Sequence, residues 1–407
     1  MANIKAQTLK GFRDFLPEDA IKRNYLRGKI QKVFERWGYD PLETPTLEYA
    51  KLFEGEGVIG EDKKLFFKFT DAGGREVALR YDQTVPACRV IGQYRNQLPM
   101  PFKRYQIQPA FRAEKPQKGR YREFLQCDAD IWGIPSPLAD AEVIALSLDI
   151  YLELGFKKAI AKINDRKLLR DFPYEAIVAI DKLKKIGPDS VIAEMERKGI
   201  SNNQAKEYLE TITNLKPNET ITEIFKVLEK LGTNPEWYIF DPTIARSFAY
   251  SDGPIWEVEI PEYPSGSVLG GERYDSLTLK LTGQDIPGTG FAVGFDRTLE
   301  AMEILGLFPV QKTSAKVLIT IFSPELLDKS LEVSSRLRSK NINTEIYLDP
   351  KAKLEKQLKY ADQKGIPYTV IIGPEEVKIN KVTLKNLGNK SQETISVNEV
   401  ISRLIND

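Results

Sequence analysis

Residues 102–133 contain two segments of alternating apolar and polar side chains, and this feature constrains the fold more than any other. Pro116 and Gly119, residue types that favour turns, lie between the two segments. Alternation with a period of two is typical of strands, because successive side chains point to opposite faces of a sheet. The sequence therefore predicts a long antiparallel hairpin with one apolar face and one polar face.

The polar face of this predicted hairpin is dense in charges and amides. On the outgoing strand it holds Arg104, Gln106, Gln108, Arg112 and Glu114, and on the return strand Phe124, Gln126, Asp128 and Asp130. The apolar face holds Tyr105, Ile107, Phe111 and Ala113, opposite Leu125, Cys127, Ala129 and Ile131. A solvated surface is the simpler interpretation of the polar rows. A platform for a polar substrate is the alternative, because surface strands rarely gather so many charged and amide groups.

Composition limits the chemistry available to the chain. With 407 residues, 42% hydrophobic and 29% charged, it has the size and composition of a globular protein of two or three domains. Its formal net charge is +1, so any nucleic-acid binding must come from local basic patches. The chain has no histidine, which excludes serine–histidine and cysteine–histidine nucleophiles and most zinc-type sites. Mechanisms that use positioning and arginine or metal-ion electrostatics stay open.

Cysteine usage and hydropathy predict a cytoplasmic protein. Cys88 and Cys127 form neither a disulfide framework nor a zinc spacing, which fits a reducing compartment. The first ten residues hold no apolar segment of the kind that signal peptides have. The sequence contains no run of about 18 apolar residues, so it predicts no membrane-spanning helix.

The order of patterns along the chain predicts three architectural parts. Segments 1–170 and 235–312 are expected to form an α+β domain with a mainly antiparallel sheet. Segment 171–234, rich in Lys, Glu and Ile at helical spacing, is expected to be an inserted helical module. Segment 313–407 alternates strands and helices, which predicts an α/β domain with a mainly parallel sheet.

Two local features have more than one interpretation. Asp82 and Thr84 precede a predicted helix, so either could cap it or bind a ligand. Four lysines in the last domain crowd one region and could form a solvated helix face or contact phosphates: Lys351, Lys353, Lys356 and Lys359.

Three stretches together resemble the class II aminoacyl-tRNA synthetases. Residues 111–114 (Phe-Arg-Ala-Glu) resemble motif 2, residues 290–297 (Gly-Phe-Ala-Val-Gly-Phe-Asp-Arg) resemble motif 3, and residues 38–45 lie where motif 1 is expected. Within that class the chain resembles the histidyl-tRNA synthetase family. The supporting segments are 79–84 (Leu-Arg-Tyr-Asp-Gln-Thr), 115–124, 126–130 (Gln-Cys-Asp-Ala-Asp), 272–275 and 358–368.

The resemblance implies a ligase that joins an amino-acid carboxylate to the α-phosphate of ATP and then charges a tRNA. It implies that Arg112 bridges the carboxylate and the α-phosphate, a task that suits the planar fork of arginine. Arg246 would reach the same phosphate, Arg297 would grip the end of ATP, and Glu114 would lie near the adenine. Mg²⁺ is expected on the phosphates, and no zinc-type protein ligands are expected.

The resemblance also implies which residues bind histidine: Asp82, Gln83, Thr84, Arg112, Gln126, Asp130, Arg246, Tyr250, Ser251 and Tyr274. The chain departs from the family pattern at three of the neighbouring positions. Ser251 stands where a second tyrosine is usual, Ala249 replaces an acid, and Glu272 replaces a glycine. Our hypothesis is that Tyr274 and Asp130 compensate for the lost imidazole contacts.

For tRNA, the resemblance implies that the motif 2 loop meets the acceptor end through Lys115, Lys118, Arg120 and Arg122. It also implies that residues 313–407 bind the anticodon and that the protein is a homodimer. Two alternatives stay open: an inactive regulatory subunit of ATP phosphoribosyltransferase, and a class II synthetase for another amino acid. The absence of histidine suggests an enzyme whose own translation needs no charged histidine, although chance or engineering would explain it equally well.

Overall fold

The structure, a computed structural model, describes residues 6–54, 66–115, 121–245 and 250–406. The chain divides into two compact units. One consists of Met1–Asp14 and Tyr25–Phe308, and the other of Phe15–Asn24 and Pro309–Asp407. The predicted domain boundaries at residues 170, 234 and 312 divide the chain differently and stay predictions.

In the described residues up to 308, the strands are β1 (Asp40–Pro41), β2 (Leu47–Tyr49), β3 (Lys68–Thr70), β4 (Glu76–Leu79), β5 (Phe102–Phe111), β6 (Glu123–Trp132), β7 (Ile160–Asp165), β8 (Tyr238–Phe240), β9 (Pro254–Glu259), β10 (Leu269–Arg273) and β11 (Gly288–Gly294). The helices are α1 (Pro17–Arg36), α2 (Thr84–Gln93), α3 (Pro137–Glu153), α4 (Tyr174–Ile180), α5 (Leu183–Arg197), α6 (Asn202–Thr213), α7 (Glu219–Lys230), α8 (Asp275–Thr282) and α9 (Phe295–Ile304).

Eight of these strands form one sheet in the order β1-β5-β6-β11-β10-β9-β7-β8. Its inner pairs are antiparallel, and only the two edge pairs, β1 with β5 and β7 with β8, are parallel. The predicted long hairpin is confirmed as β5 and β6, which pair along their whole length with Arg104 opposite Asp130 and Gln108 opposite Gln126. A smaller sheet has the order β2-β4-β3.

The apolar face of the hairpin lies in the main core, as the alternation predicts. Cys127 and Ala129 are fully buried and Ile131 is nearly so, in one cluster with residues of α1, α3 and α9. Because the register is fixed by this buried face, the other side chains of β6 must all point to the opposite face of the sheet. That second face carries the polar rows.

The predicted helical segment contains four helices, α4 to α7, which pack in two places. Helices α4, α5 and α6 share a small core of their own that includes Ile177, Met195 and Ile212. Helix α7 instead contributes Ile221, Ile224 and Leu228 to the main core. Burial against the sheet thus holds the last helix of the segment to the domain that the segment interrupts.

The second unit contains β12 (Val317–Ile319), β13 (Thr344–Ile346), β14 (Tyr368–Ile371), β15 (Val382–Asn386) and β16 (Gln392–Ile395), with α10 (Leu327–Arg338), α11 (Leu354–Lys364), α12 (Pro374–Lys378) and α13 (Val397–Asn406). The sheet order is β13-β12-β14-β15-β16. Strands β13, β12 and β14 are parallel, and β15 and β16 add two antiparallel pairs that the sequence did not predict. In the described parts of the chain, none of the helices combines the length and apolarity that crossing a membrane requires.

Candidate active site

On the polar face of the large sheet β11 contributes only small side chains, and we call the strip of this face along β6 and β11 the polar trough. Gly290, Ala292 and Gly294 lie opposite Asp130, Asp128 and Gln126 of β6, respectively. A Cβ atom at position 290 would lie 2.1 Å from Asp130 Oδ1 and 2.6 Å from the carbonyl oxygen of Ala129. Glycine is therefore required at that position, because the Asp130 side chain lies directly against it.

One end of the trough is an aromatic cluster around Asp130. Arg104 Nη2 lies 2.6 Å from Asp130 Oδ2, and the hydroxyl of Tyr274 donates a hydrogen bond to Oδ1. The ring of Tyr274 packs edge-on against Trp132 and Tyr250, with centroids 6.2 and 6.3 Å apart. Burial raises the pKa of Asp130, while Arg104 and the tyrosine hydroxyl oppose that effect. Asp130, Tyr250 and Tyr274 are thus brought together.

Two of the departures from the family pattern touch each other. The Ser251 hydroxyl donates a hydrogen bond to Glu272 Oε2, and both side chains are buried. Glu272 lies directly across β11 from Asp130, because both pair with Gly290. The small side chain at position 251 and the acid at position 272 therefore form one polar contact, across β11 from Asp130.

The residues before α2 lie over the polar face of the hairpin. The Asp82 carboxylate accepts the backbone N–H of Val85, in the first turn of α2, at 3.0 Å, a contact that leaves its second oxygen open to a ligand. Burial raises the pKa of Asp82, and the cap and Arg112 lower it. The Gln83 amide donates to the carbonyl oxygens of Gln108 at 2.6 Å and Gln126 at 3.3 Å. Thr84 is half-buried in the first turn.

Asp128, in the middle of the trough wall, is only 1% exposed and was not selected from the sequence. Both of its carboxylate oxygens lack a hydrogen-bond partner among the described residues. The same holds for the side-chain oxygens of Gln83 and Gln126, which are 0% and 8% exposed. Burial raises the pKa of Asp128 well above its ordinary value, as do the neighbouring acids, against the effect of Arg104 and Arg112.

Arg112 lies where the hairpin leaves the sheet, at the other end of the trough. Its guanidinium carbon is 4.5 Å from the centroid of the Tyr81 ring and 5.0 Å from that of Phe124. Its Nε atom is buried and has no hydrogen-bond partner within the described ranges. Stacking between two rings orients the guanidinium without using its donors, which is suited to binding an anion.

Arg297 lies in the first turn of α9, three residues past Gly294, which pairs with Gln126. Its Nη1 donates to the carbonyl oxygen of Ser267 at 2.8 Å. The register therefore places Arg297 at the same end of the trough as Arg112. Glu114 is half-buried and Lys115 exposed in the chain that leaves β5.

Six of the residues singled out from the sequence lie outside the described residues: Pro116, Lys118, Gly119, Arg120, Arg246 and Ala249. Arg122, expected at the tRNA, donates to the carbonyl oxygens of Glu114 at 3.1 Å and Lys10 at 3.2 Å. Its guanidinium therefore also fixes the base of the loop against the N-terminal segment.

Sequence reasoning missed Arg104 and Asp128 as members of the site, although both stand in the predicted polar rows. The available signal was their position, since Arg104 faces Asp130 and Asp128 lies between two selected residues. The side chains that Arg104 and Asp128 face are set by strand pairing, which a single sequence does not reveal.

Comparisons with known proteins agree with these features. Residues 11–186 match the family model described as Histidyl-tRNA synthetase, and residues 316–407 match the one described as Anticodon binding domain. A histidine–tRNA ligase of Wolinella succinogenes is 38% identical over 95% of this chain and 95% of its own length. One of Cytophaga hutchinsonii is 36% identical over 97% and 98%. The crystal structure of histidyl-tRNA synthetase from Nostoc sp. PCC 7120 has a TM-score of 0.86 and 28% identity, and covers 98% of this chain and 100% of that one.

Proposed function

The chain belongs to the histidyl-tRNA synthetase family, and we propose that it activates histidine with ATP and transfers it to the 3′ end of its tRNA. Among features of the molecule itself, the polar trough carries this proposal. It places buried acids beside an aromatic cluster at one end and a stacked arginine at the other.

In the first step, a histidine carboxylate oxygen attacks the α-phosphorus of ATP. A new P–O bond forms, the bond to the bridging oxygen breaks, and pyrophosphate leaves. Two anions meet in this step, so cations must offset their repulsion. Arg112 is the residue we assign to the carboxylate and α-phosphate, with Arg246 as its partner. Arg297 is assigned to the far end of ATP and Glu114 to the adenine.

For histidine recognition, we assign the imidazole to the aromatic end of the trough. Tyr250 and Tyr274 supply ring faces and edges, and Asp130 supplies a carboxylate held by Arg104. The Ser251–Glu272 pair lies across β11 from Asp130, and Ser251 stands at the sequence position where the family usually has a second tyrosine. Asp82, Gln83, Thr84 and Gln126 are assigned to the backbone atoms of histidine.

Mg²⁺ is proposed as an ion carried by the phosphates of ATP, where it neutralises charge. Among the described residues no group of three acidic, cysteine or histidine side chains could form a cage for a metal ion. Mg²⁺ beside nucleotide phosphates usually keeps several waters and takes few protein ligands. The roles assigned to the arginines therefore do not require a protein side chain that binds Mg²⁺.

In the second step, a ribose hydroxyl of the terminal nucleotide attacks the histidyl carbonyl carbon, and AMP leaves. Lys115, Lys118, Arg120 and Arg122 are proposed to contact the acceptor end, and residues 313–407 the anticodon. Basic side chains neutralise RNA phosphates, so binding should weaken steeply with added salt. We further propose a homodimer that works in the cytoplasm, where charged tRNA is consumed.

The two alternatives are not favoured. The relatives above match this chain over nearly their full length and are named histidine–tRNA ligase. The chain also has the anticodon-binding region, which a regulatory subunit would not need. A synthetase for another amino acid remains the alternative that the changes at Ser251 and Glu272 motivate.

Exchange of radioactive pyrophosphate into ATP, measured with each of the twenty amino acids, tests the proposal. We expect exchange with histidine alone, followed by charging of tRNA with histidine. Exchange with a different amino acid, or with none, would contradict the assignment. The Arg112→Ala protein is the comparison, because loss of the cation assigned to the carboxylate and the α-phosphate should lower exchange by about 10²- to 10³-fold.

A further inference from the structure

The hairpin of β5 and β6 extends further than the neighbouring strand β11. Pairing of β6 with β11 ends at Gln126, whereas β6 and β5 stay paired as far as Glu123. Arg112 directly follows this projecting end of the hairpin, and α9, with Arg297 in its first turn, begins where β11 ends. The hydrogen bonds between β6 and β11 therefore do not fix the distance between Arg112 and Arg297.

The chain before α1 contacts the projecting end of the hairpin. The backbone N–H of Arg122 donates to the carbonyl oxygen of Gly11 at 2.9 Å, and its guanidinium donates to that of Lys10 at 3.2 Å. The backbone N–H of Arg112 in turn donates to the carbonyl oxygen of Arg122 at 2.9 Å. Arg122 thus joins the segment of residues 10 and 11 to Arg112.

Arg13, two residues further along, joins the hairpin to α9. Its guanidinium carbon lies 3.3 Å from the centroid of the Tyr121 ring, and Tyr121 is the residue before Arg122. Its Nη2 atom lies 3.0 Å from Oδ2 of Asp296, which directly precedes Arg297 in the first turn of α9. The Arg13 and Asp296 side chains are 24% and 17% exposed, so solvent and salt screen their attraction less than that of a surface pair.

We propose that Arg13 is a positioning residue of the activation step, which sets the separation of Arg112 and Arg297 by tying the hairpin to α9. This inference rests on the proposed function, in which these two arginines hold different parts of one ATP molecule. An arginine suits the task, because its guanidinium can stack on a ring with its face and pair with a carboxylate through its edge. Misplacing a group that holds the substrate by about 1 Å can lower the rate by about 10²-fold.

Two other roles for Arg13 fit the contacts less well. Direct binding of ATP phosphates is disfavoured, because the Tyr121 ring covers the face of the guanidinium and the Asp296 carboxylate beside it repels anions. A role confined to anchoring the N-terminal segment does not explain the partners. Both partners adjoin the nucleotide end of the polar trough, since Asp296 precedes Arg297 and Tyr121 precedes the residue that is bonded to Arg112.

Two measurements on the full-length Arg13→Ala protein test this role. Pyrophosphate exchange, measured against ATP concentration, should show a kcat/KM for ATP that is lower by about 10- to 100-fold. Equilibrium affinity for histidinol, the histidine analogue without a carboxylate, should stay within about twofold of wild type, because distant sites are nearly independent. If histidinol binding falls as much as the use of ATP, or if neither changes, Arg13 is not a positioning residue.

Asp296→Asn separates positioning from direct contact with ATP, because it breaks the ion pair and keeps the guanidinium. We expect it to lower kcat/KM for ATP by about tenfold, and to add little when combined with Arg13→Ala, since the two residues act as one tie. Normal use of ATP by Asp296→Asn, or fully additive effects in the double variant, would overturn the proposal. Arg13→Lys should recover only part of the rate, because an ammonium group cannot stack and pair at once.

Arg36→Ala is the matched control. Arg36 also pairs with acids of another helix at 3.0 Å, namely Asp149 and Glu153 of α3, but α1 and α3 pack against the apolar face of the hairpin. Its kcat/KM for ATP should stay within about twofold of wild type. A loss as large as that of Arg13→Ala would show that any such ion pair matters equally, which contradicts a specific role for Arg13. Exchange by the wild-type protein tests the proposed function separately.

Discussion

Asp128 and Asp140 are equally buried, with 1% of each side chain exposed, yet they have opposite surroundings. Asp140, in the first turn of α3, accepts Arg273 Nε at 3.0 Å and Arg273 Nη2 at 2.9 Å. Asp128 has no hydrogen-bond partner in the described part of the chain. Burial raises the pKa of both acids. Burial and a shifted pKa therefore do not distinguish a structural acid from a binding acid, whereas the completeness of hydrogen bonding does.

The largest expected effect is a loss of stability when Asp140, the acid whose hydrogen bonds are complete, is removed. Asp140→Ala removes the bidentate carboxylate and leaves buried Arg273 with Asp275 as its remaining acidic partner, at 3.0 Å. Breaking one side of a buried ion pair typically lowers the free energy of unfolding by about 3–5 kcal/mol. Denaturant titration of the ligand-free protein measures this loss. Unchanged stability would show that the Arg273–Asp140 pair is not structural.

Arg112→Ala should show the reverse pattern, with loss of activity and little loss of stability. Removing one preorganised donor to developing charge lowers kcat by about 10²- to 10³-fold. The guanidinium contacts mainly two aromatic rings, so unfolding should change by about 1 kcal/mol or less. Pyrophosphate exchange and a denaturant titration measure the two quantities. Arg112→Lys, which keeps the charge without the fork, should recover only part of the rate.

Ser251→Ala tests the surroundings of Glu272, an acid of the site whose carboxylate accepts a hydrogen bond from Ser251. Loss of the hydroxyl removes a buried donor to Glu272, which should lower the free energy of unfolding by about 1–2 kcal/mol. In the Glu272→Gln background the same substitution should have a smaller effect, because the charge that it served is gone. Additive effects in this double-mutant cycle would show that the two residues are not coupled.

The smallest effect expected is a gain of stability. Because burial raises the pKa of Asp128 in the folded chain, the folded state holds a proton that the unfolded state has already lost. Ionisation of Asp128 therefore lowers stability as pH rises from the ordinary aspartate pKa, about 3.9, to the raised folded value. Asp128→Asn should raise the Tm of the ligand-free protein at neutral pH, and the difference should shrink toward pH 4. A lower Tm at every pH would identify Asp128 as a structural residue.

The sequence was sufficient to predict the hairpin, because the side-chain period of a strand fixes which residues share a face. It also predicted the polar row of Gln126 and Asp130, since one buried face determines the other. The row of residues across β11 was not predictable in the same way. It depends on the pairing of Gly290 with both Asp130 and Glu272, which joins strands far apart in the chain.

Prediction was weakest for hydrogen-bond partners. Tertiary packing decides three of these partners. Asp82 accepts the N–H of Val85, Ser251 donates to Glu272, and Asp128 has no donor among the described residues. The capping alternative could at least be stated from sequence, because Asp82 stands just before a helix. The contrast between Asp128 and Asp140 could not, because both are aspartates whose neighbours in the sequence are apolar.

The four acceptor oxygens of Asp128, Gln83 and Gln126 that lack partners among the described residues have a consequence for the lifetime of the protein in a cell. A ligand that satisfies them binds the native chain and not the unfolded one. At a concentration of 100 Kd, such a ligand adds about 2.7 kcal/mol to the free energy of unfolding. Proteases that attack the unfolded chain would then degrade it more slowly when histidine is plentiful. Since the chain contains no histidine, replacing degraded copies draws nothing from that same amino-acid pool.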